Sequence, residues 1–388
     1  MRIVRVSLRN FRSYPTADVA LGPGLTVIWG RNGAGKTNLL DAVYFGCTGR
    51  SARTTNDREL VRFGERVTRV VVTTEADDGL HELAVAFESG EPKRMTADGV
   101  RVERLLDVAG RPLVSVFLPD RLELVKGTPS LRRAHVDQVV GALWPARVQT
   151  RRAYAQALAQ RNALLTRVRA GAASSASLPA WDRELARHGI ALMADRAAAV
   201  GAVADRFPVI ANELGLDGEP AVAYRPRSKA GDAEGLAAEL GERLQSDLER
   251  GFTQHGPHRD DLALTRDGRE LRAYGSQGQQ RLALLALLLA EREAIAATRD
   301  AVPVMLLDDV MSELDRERRG RLVALLRGVG QSIVTTTDLE HVPGAEGEDV
   351  LRLRVEDGEV RAEPLGQSPR VPSEELAQGA PSSAEEPA

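Results

Sequence analysis

One short segment constrains this chain more than any other, because it fits the phosphate-binding pattern GxxxxGK[ST]. Its residues are Gly30, Arg31, Asn32, Gly33, Ala34, Gly35, Lys36 and Thr37. An apolar, strand-like run precedes the segment and a helix-competent run follows it, which is the context that the pattern requires. There, backbone N–H groups wrap the β-phosphate at a helix N-terminus, Lys36 reaches the β- and γ-phosphates, and the Thr37 hydroxyl ligates magnesium. The segment predicts that the chain binds ATP and Mg²⁺ through these eight residues.

Hydrolysis of ATP also needs acidic side chains, which a phosphate-binding loop lacks. A run of four apolar residues, 304–307, ends in Asp308 and Asp309. A strand of this kind would bring Asp308 to the magnesium ion, directly or through a water, and Asp309 to the attacking water, which it would polarise. We therefore predict that Lys36, Asp308 and Asp309 are catalytic, and that Thr37 and Asp308 are the magnesium ligands.

A third segment, Tyr274 to Arg281, opens a helix with Ser276 at its N-cap position. ABC-type ATPases build their signature motif from a Ser-x-Gly-x-Gln run, which binds the γ-phosphate of ATP held by a second copy. The segment stands about 30 residues before the acidic pair, and residues 311–315 stand where ABC proteins place the D-loop of the dimer interface. We predict that Ser276 is catalytic and that ATP binding drives homodimerisation.

Composition gives weaker constraints. The chain has 388 residues with 52 basic and 55 acidic side chains, so any contact with DNA must be local. Residues 366–388 hold four Glu and one Arg, which accounts for the whole formal net charge of −3. The single cysteine, Cys47, excludes an intramolecular disulfide. The N-terminus lacks the apolar core of a signal peptide and no apolar run approaches about 20 residues, so we expect a cytoplasmic protein that does not contact membrane.

The order of elements predicts an α/β fold: an ABC-type P-loop ATPase head with an inserted, mostly α-helical second lobe. Strand patterns dominate up to about residue 120 and return after Phe252, first as a hairpin of residues 262–266 with 270–274. Between them strand signals nearly vanish, and amphipathic helices are favoured, including an antiparallel pair joined at residues 171–179. We predict a discontinuous ATPase lobe (1–125 and 250–365), a helical lobe (126–249) and a disordered acidic tail (366–388).

Together these segments resemble the RecF family, bacterial gap-repair and replication proteins related to SMC-type heads. The matching blocks span Leu8 to Asp338 and include LRNFRSY, the phosphate-binding loop, FLPDRLELVKGTPSLRR, TQHGPHRDD, YGSQGQQR and LLDDVMSELD. The resemblance implies that Gln279 belongs to the signature with Ser276, and that the helical insertion is the second lobe. It also implies that three residues lie near the base and sugar of the nucleotide: Asn10, Phe11 and Arg12.

Two positions differ from ABC transporters, and the RecF family shares both differences. Residues Thr335 to Asp338 stand where transporters usually have a histidine, and Pro119-Asp120 stands where they have a glutamine. The residue that senses the γ-phosphate is therefore undefined. We expect a weak, DNA-dependent ATPase in which ATP acts mainly as a dimerisation switch and hydrolysis releases the clamp.

The resemblance implies an ATP-dependent DNA-binding clamp that acts in recombinational gap repair, replication maintenance and SOS induction. Its expected partners are DNA, as duplex, gapped duplex or single-strand/duplex junction, a second copy of the chain, and RecO and RecR, which it would help to load RecA. Two alternatives stay open: the ATPase subunit of a membrane transporter, and another SMC-like or overcoming-lysogeny-type DNA-processing ATPase. A transporter subunit needs only a compact insertion, whereas about 246 residues separate Gly30 from the signature here. An SMC-like protein would need a long coiled coil, and this insertion is too short for one.

Two further groups of polar residues invite a functional interpretation. His255 and His258 lie near Asp260 and Asp261, but Gly256-Pro257 breaks the helix that would align both imidazoles, so we interpret this cluster as structural. Aromatic residues are few, so we expect contact with duplex backbone rather than stacking on bases. A loose basic series on the helical lobe is a candidate DNA surface, with a solvated helix face as the equal alternative. Its members are Arg132, Arg133, Arg151, Arg152, Arg161, Arg167 and Arg169.

Overall fold

A computed structural model describes residues 1–108, 111–299 and 301–363; the predicted tail, 366–388, lies outside the described residues. The strands are β1 (Arg2–Phe11), β2 (Tyr14–Ala20), β3 (Leu25–Trp29), β4 (Val67–Ala76), β5 (Gly79–Glu88), β6 (Arg94–Ala97), β7 (Val100–Val102), β8 (Val114–Phe117), β9 (Pro220–Arg225), β10 (Asp261–Arg266), β11 (Arg269–Glu270), β12 (Val304–Leu307), β13 (Ser332–Thr336), β14 (Val350–Glu356) and β15 (Glu359–Ala362). The helices are α1 (Lys36–Thr48), α2 (Glu123–Lys126), α3 (Pro129–Leu143), α4 (Val148–Arg169), α5 (Leu178–Ala204), α6 (Arg206–Glu213), α7 (Ala233–Glu242), α8 (Leu244–Arg250), α9 (Leu271–Tyr274), α10 (Gln277–Arg299) and α11 (Arg316–Gly328).

A six-stranded sheet in the order β15-β14-β3-β13-β12-β8 forms the centre of the molecule. Its strands are parallel to their neighbours except for β15, which is antiparallel to β14. Met305 and Leu307 share a core with α10, whereas Val304 and Leu306 share a core with α1. Burial on both faces explains why these strands have unbroken apolar sequences. The parallel arrangement brings the carboxyl ends of β3, β8, β12 and β13 to one edge.

A second six-stranded sheet is antiparallel, in the order β2-β1-β4-β5-β6-β7. One face covers α1, and its buried residues include Val6 and Leu8 of β1 and Val70 and Val72 of β4. Helix α1 approaches β4 closely at Gly46, where a Cβ would lie 2.3 Å from a methyl carbon of Val72. The other face of this sheet is turned to solvent.

Helices α3 to α8 supply most of the chain between residues 129 and 250. The two longest of them, α4 and α5, pack against each other and are joined through residues 170–177, within the breaker-rich segment of the sequence. Among the helices of the described ranges, none has the length and apolar character to cross a membrane.

The structure corrects two of the sequence predictions. Strand β9 lies in the region expected to lack strands, and it forms a three-stranded antiparallel sheet with β10 and β11. The predicted lobe boundary at residues 249 and 250 therefore separates strands of one sheet. The hairpin itself is present as β10 and β11, but its second strand is not the expected 270–274, because β11 ends at Glu270 and residues 271–274 form α9. In both places tertiary packing overrides a short and ambiguous local pattern.

Candidate functional site

The phosphate-binding loop begins where β3 ends. Gly30 has φ +152°, and a Cβ at this position would lie 2.3 Å from the carbonyl oxygen of Val355, so a side chain does not fit. Gly35, with φ +115°, is the N-cap of α1. The Lys36 ammonium donates hydrogen bonds to the carbonyl oxygens of Gly30 at 2.7 Å and Arg31 at 3.0 Å. The loop thus places a buried cation and a helix N-terminus at the edge of the central sheet, which suits an anion.

The acidic pair meets this loop at the end of β12. The Thr37 hydroxyl lies 2.9 Å from both carboxylate oxygens of Asp308. Thr335, at the end of β13, donates to Asp308 Oδ1 at 2.7 Å and accepts the Asp309 backbone N–H at 2.9 Å. These residues, from two strand ends and one helix, therefore form one polar cluster. The sequence places Thr335 in the switch segment, but no local signal distinguishes it from the neighbouring threonines.

The electrostatics of the cluster favour a bound cation. Burial raises the pKa of Asp308, hydrogen bonds from Thr335 and Thr37 oppose that shift, and the charge of Asp309 adds to it. Burial lowers the pKa of Lys36, and the two carboxylates oppose that shift. Asp309 has φ +46°, and its Oδ1 is buried without a hydrogen-bond partner among the described residues. Adjacent hydroxyl and carboxylate oxygens with unused acceptor capacity fit the ligand set that Mg²⁺ prefers.

A cleft of about 300 Å³ lies in front of these groups. Two of its lining residues were not predicted: Arg53, which donates to the Asn38 side chain at 3.1 Å, and Asn38 itself. Pro119, from the segment where transporters have a glutamine, also borders the cleft. The lining residues are Asn32, Gly33, Gly35, Lys36, Thr37, Asn38, Arg53, Pro119, Asp308 and Asp309.

The segment predicted to approach the base and sugar is fixed to α1. Arg12 donates to Asp41 Oδ2 at 2.8 and 3.1 Å, and Asn10 donates to Glu65 at 3.1 Å. Phe11 is fully buried, with its ring centroid 5.8 Å from that of Phe45. Within the described part of the chain, the residues that line the cleft do not include these three. Phe11 therefore anchors the segment in the core, and proximity of Asn10, Phe11 and Arg12 to the nucleotide stays a prediction.

Among the described residues, the cleft lining does not include the signature segment. Ser276 and Gln279 form a reciprocal cap of α10: the Gln279 N–H donates to Ser276 Oγ at 3.2 Å, and the Ser276 N–H donates to Gln279 Oε1 at 2.9 Å. Ser276 is exposed. Arg281 forms an ion pair with Glu313, which ties the signature helix to residues 311–313 after the acidic pair.

The histidine cluster is part of a hydrogen-bonded network. His258 Nδ1 accepts from the Tyr154 hydroxyl at 2.7 Å, and its Nε2–H donates to the Thr253 carbonyl oxygen at 3.0 Å, if the neutral Nε2 tautomer is assigned. Asp260 accepts the Arg227 backbone N–H at 2.7 Å. Each of these polar groups has a protein partner, which agrees with a structural role.

Two of the seven members of the basic series are buried, so the series does not form one surface as a whole. Arg151, Arg152, Arg167 and Arg169 are exposed on α4, and contact of these four with DNA stays a prediction. Arg132 is 2% exposed and donates to Asp261 at 2.6 Å. Arg161 is fully buried and donates to Asp182 at 2.6 Å. Helical spacing alone predicts exposed arginines here, but the folded chain surrounds two of them with carboxylates.

Comparison with known proteins gives consistent results. The family model described as the RecF/RecN/SMC N terminal domain matches residues 2–361. The chain is 39% identical to the DNA replication and repair protein RecF of Myxococcus xanthus over 372 residues, covering 93% of this chain and 97% of that one. It is 38% identical to the protein of that name from Chloroflexus aurantiacus, covering 93% and 100%.

Solved structures extend the comparison to the fold. The recombination mediator protein RecF with ATP, of the RecFOR pathway, superimposes with a TM-score of 0.82 at 27% identity, covering 94% of this chain and 98% of that chain. The Smc head bound to the C-winged helix domain of ScpA superimposes with a TM-score of 0.59 at 18% identity, covering 94% and 97%, which shows the fold alone. On this fold, a phosphate-binding loop meets the acidic end of a strand. The matches cover nearly all of the described chain. The chain belongs to the RecF family of ABC-type ATPases.

Proposed function

We propose that this protein is an ATP-dependent DNA-binding clamp of the RecF type. ATP binding drives head-to-head dimerisation, and slow, DNA-dependent hydrolysis releases the dimer from DNA. The clamp acts in recombinational gap repair, replication maintenance and SOS induction, where it helps RecO and RecR to load RecA at gapped duplexes or single-strand/duplex junctions in the cytoplasm. In this proposal residues 1–125 and 250–365 form the ATPase lobe and residues 126–249 the inserted lobe, and the sheet of β9, β10 and β11 contains strands from both.

One observation carries the proposal: half of the catalytic machinery converges on the cleft, and the other half is exposed elsewhere. Thr37 and Asp308 are in contact at 2.9 Å, whereas Ser276 is exposed at the cap of α10 and, among the described residues, is not part of the cleft lining. An exposed helix N-terminus with a polar cap fits an anion supplied from outside the chain. A second copy, related by a twofold axis, would bring its signature to this cleft, and the reverse.

Each residue of the cleft has a proposed role. Lys36 contacts the β- and γ-phosphates, Thr37 and Asp308 hold Mg²⁺, and Asp309 orients the attacking water through its unpaired carboxylate oxygen. When bound, Mg²⁺ would neutralise charge that develops on the phosphates. Ser276 and Gln279 act on the nucleotide of the other copy.

The alternative is a different SMC-like DNA-processing ATPase, which shares the fold. The similarity to the Smc head supports it only at the level of architecture, whereas the RecF proteins match along nearly the whole chain. The family model that matches residues 2–361 is the RecF/RecN/SMC N terminal domain, and it gives no support to the transporter alternative.

The test compares the wild type with Lys36→Arg and Ser276→Arg. Lys36→Arg is expected to dimerise and to bind DNA with ATP but to lose phosphate release, because a wider cation still neutralises phosphate without supporting turnover. Ser276→Arg is expected to lose ATP-dependent dimerisation, measured by sedimentation velocity, and DNA affinity with it. Ser276→Asn keeps a capping side chain and Ser175→Arg adds the same charge to the exposed α4–α5 turn, so both are controls. Equal DNA binding by all variants, unaffected by ATP, rules out the clamp.

A further inference from the structure

The solvent-facing side of the antiparallel sheet carries arginines at one end. Side chains alternate between the two faces of a strand, and Leu8 and Val70 point into the core over α1. Their neighbours Arg9 on β1 and Arg69 on β4 therefore point outward, and both are exposed. Arg94 on β6 is exposed as well.

These three arginines lie in one row across the sheet. Arg9 is directly opposite Arg69, Arg69 is opposite Ala86, and Ala86 is opposite Arg94. Neighbouring strands are about 4.8 Å apart, so three cations stand within about 15 Å with only an alanine between two of them. Within the described ranges, none of the three guanidinium groups has an ion-pair or hydrogen-bond partner. We call Arg9, Arg69 and Arg94 the arginine row.

The row contrasts with the rest of the same sheet. Arg5, four residues before Arg9 on β1, donates to Asp18 at 2.7 Å, and Arg2 is paired with Glu75. Like charges placed directly opposite each other destabilise a sheet. The arginine row is therefore unfavourable for folding unless something anionic binds it.

A fully exposed aromatic side chain lies in a turn near the β1 strand of the row. Phe63 is 100% exposed in the turn of residues 62–65, before Arg66 and the start of β4. The turn is anchored to β1 by the Arg62 N–H, which donates to the Asn10 carbonyl oxygen at 2.9 Å. This hydrogen bond fixes the turn that carries Phe63 next to Asn10, the residue that follows Arg9 on β1.

We propose that the arginine row binds the phosphodiester backbone of DNA and that Phe63 stacks on an unpaired base near the β1 strand of the row. The inference rests on the proposed DNA clamp and assigns the surface that such a clamp uses. Charge complementarity identifies the occupant, because three unpaired guanidinium groups on a flat face match a regular series of phosphates. An exposed aromatic ring offers a stacking surface to any base. The two together fit a duplex that ends in a gap or junction.

The first experiment changes all three arginines of the row to glutamine and measures DNA affinity by fluorescence anisotropy with ATP and Mg²⁺ at several salt concentrations. The probe is a duplex with a central gap. We expect affinity to fall at least about tenfold, and the slope of log affinity against log salt to fall by about 1 for each phosphate that the variant no longer neutralises. The melting temperature is expected to stay the same or rise, because repulsion within the row is removed.

A matched control separates the row from net charge. Arg225, Arg227 and Arg269 are exposed on or beside the three-stranded sheet, and their change to glutamine removes the same charge. The control triple variant is expected to keep nearly the wild-type affinity. Equal weakening by the two triple variants, or no weakening by the row variant, overturns the inference. If the row variant loses ATP-dependent dimerisation together with DNA affinity, the face belongs to a second copy and the inference also fails.

Two single variants sharpen the assignment. Phe63→Ala is expected to lose about tenfold in affinity for the gapped duplex but not for an unbroken duplex of the same length. Equal effects on both probes overturn the stacking role.

Glu88 is exposed on the same face of the sheet, opposite Val67. Glu88→Gln is expected to tighten DNA binding, and weaker binding contradicts the proposed surface. If the wild type shows no ATP-dependent DNA binding, the proposed function fails instead, whatever the row variants do.

Discussion

Two regions of this protein hold buried charges in different surroundings. In the helical lobe, the Arg161 guanidinium is enclosed by Asp182 at 2.6 Å and by Asp247 and Thr253, each at 2.7 Å. At the cleft, the Asp308 carboxylate is bound by two hydroxyl groups while the neighbouring ammonium of Lys36 donates to backbone carbonyl oxygens.

The different surroundings indicate different roles for the buried charges of the two regions. In the lobe the positive charge is matched by carboxylates, so the group stabilises the fold. At the cleft the pKa of Asp308 is raised by burial because hydroxyl groups only partly replace water. Burial disfavours the charged form of this carboxylate. Such a carboxylate suits a cation that binds together with a ligand. Removal of a charge should therefore have opposite effects on stability in the two regions.

The largest expected effect is in the helical lobe. Arg161→Ala leaves the buried carboxylates of Asp182 and Asp247 without their cation, and should reduce the free energy of unfolding by about 3–5 kcal/mol. Urea unfolding monitored by circular dichroism measures this. Arg167→Ala, an exposed site on the same helix, should change it by less than about 0.5 kcal/mol. Similar results for both variants would show that the buried pair does not stabilise the lobe.

At the cleft, Asp308→Asn should lower ATP turnover by at least about 100-fold, because the proposed magnesium ligand is lost. The melting temperature should not fall, since the variant removes a carboxylate whose raised pKa shows that the fold disfavours its charge. Phosphate release and differential scanning fluorimetry without nucleotide test the two statements. A clear loss of stability would mean that Asp308 is structural, as Arg161 is.

The next effect is a pH dependence at His258, which contacts Tyr154 of the helical lobe. Burial lowers the pKa of His258 to about 4, against about 6.5 for an unfolded chain. Below pH 6.5 the unfolded state takes up a proton that the folded state does not, so stability should fall as the pH is lowered, by about 1.5 kcal/mol between pH 6.5 and 5. Urea unfolding at each pH measures the loss. His258→Gln should flatten this part of the profile; an unchanged profile would assign the loss to other groups.

The smallest effect concerns the bridge between β12 and β13. Thr335→Val removes the hydroxyl that contacts Asp308 and the Asp309 N–H, and should reduce the free energy of unfolding by about 1 kcal/mol and slow turnover. Thr335→Ser keeps the hydroxyl and should restore both values. Thermal unfolding with parallel ATPase assays decides this, and failure of serine to rescue would assign the effect to the methyl group.

Much of the site was predictable because its parts are contiguous in sequence. The phosphate-binding loop and the acidic pair each combine a short motif with a strand, so local order was enough to place Lys36, Thr37, Asp308 and Asp309. Thr335 was not identified, since three consecutive threonines differ only in which one faces the acidic pair. Strand β9 was missed because its pairing with β10 is long-range.

The arginines show most clearly where sequence stops being sufficient. Local sequence by itself determined an α/β ATPase head, the composition of its nucleotide site and the existence of a helical insertion, because these depend on short motifs and on the periodicity of apolar residues. Only the tertiary structure decided that Arg161 is enclosed by carboxylates and that Arg9 stands opposite Arg69 on an open sheet face. The physical reason is that the free energy of a charge depends on its burial and on the charges around it, and neighbours distant in the chain supply both.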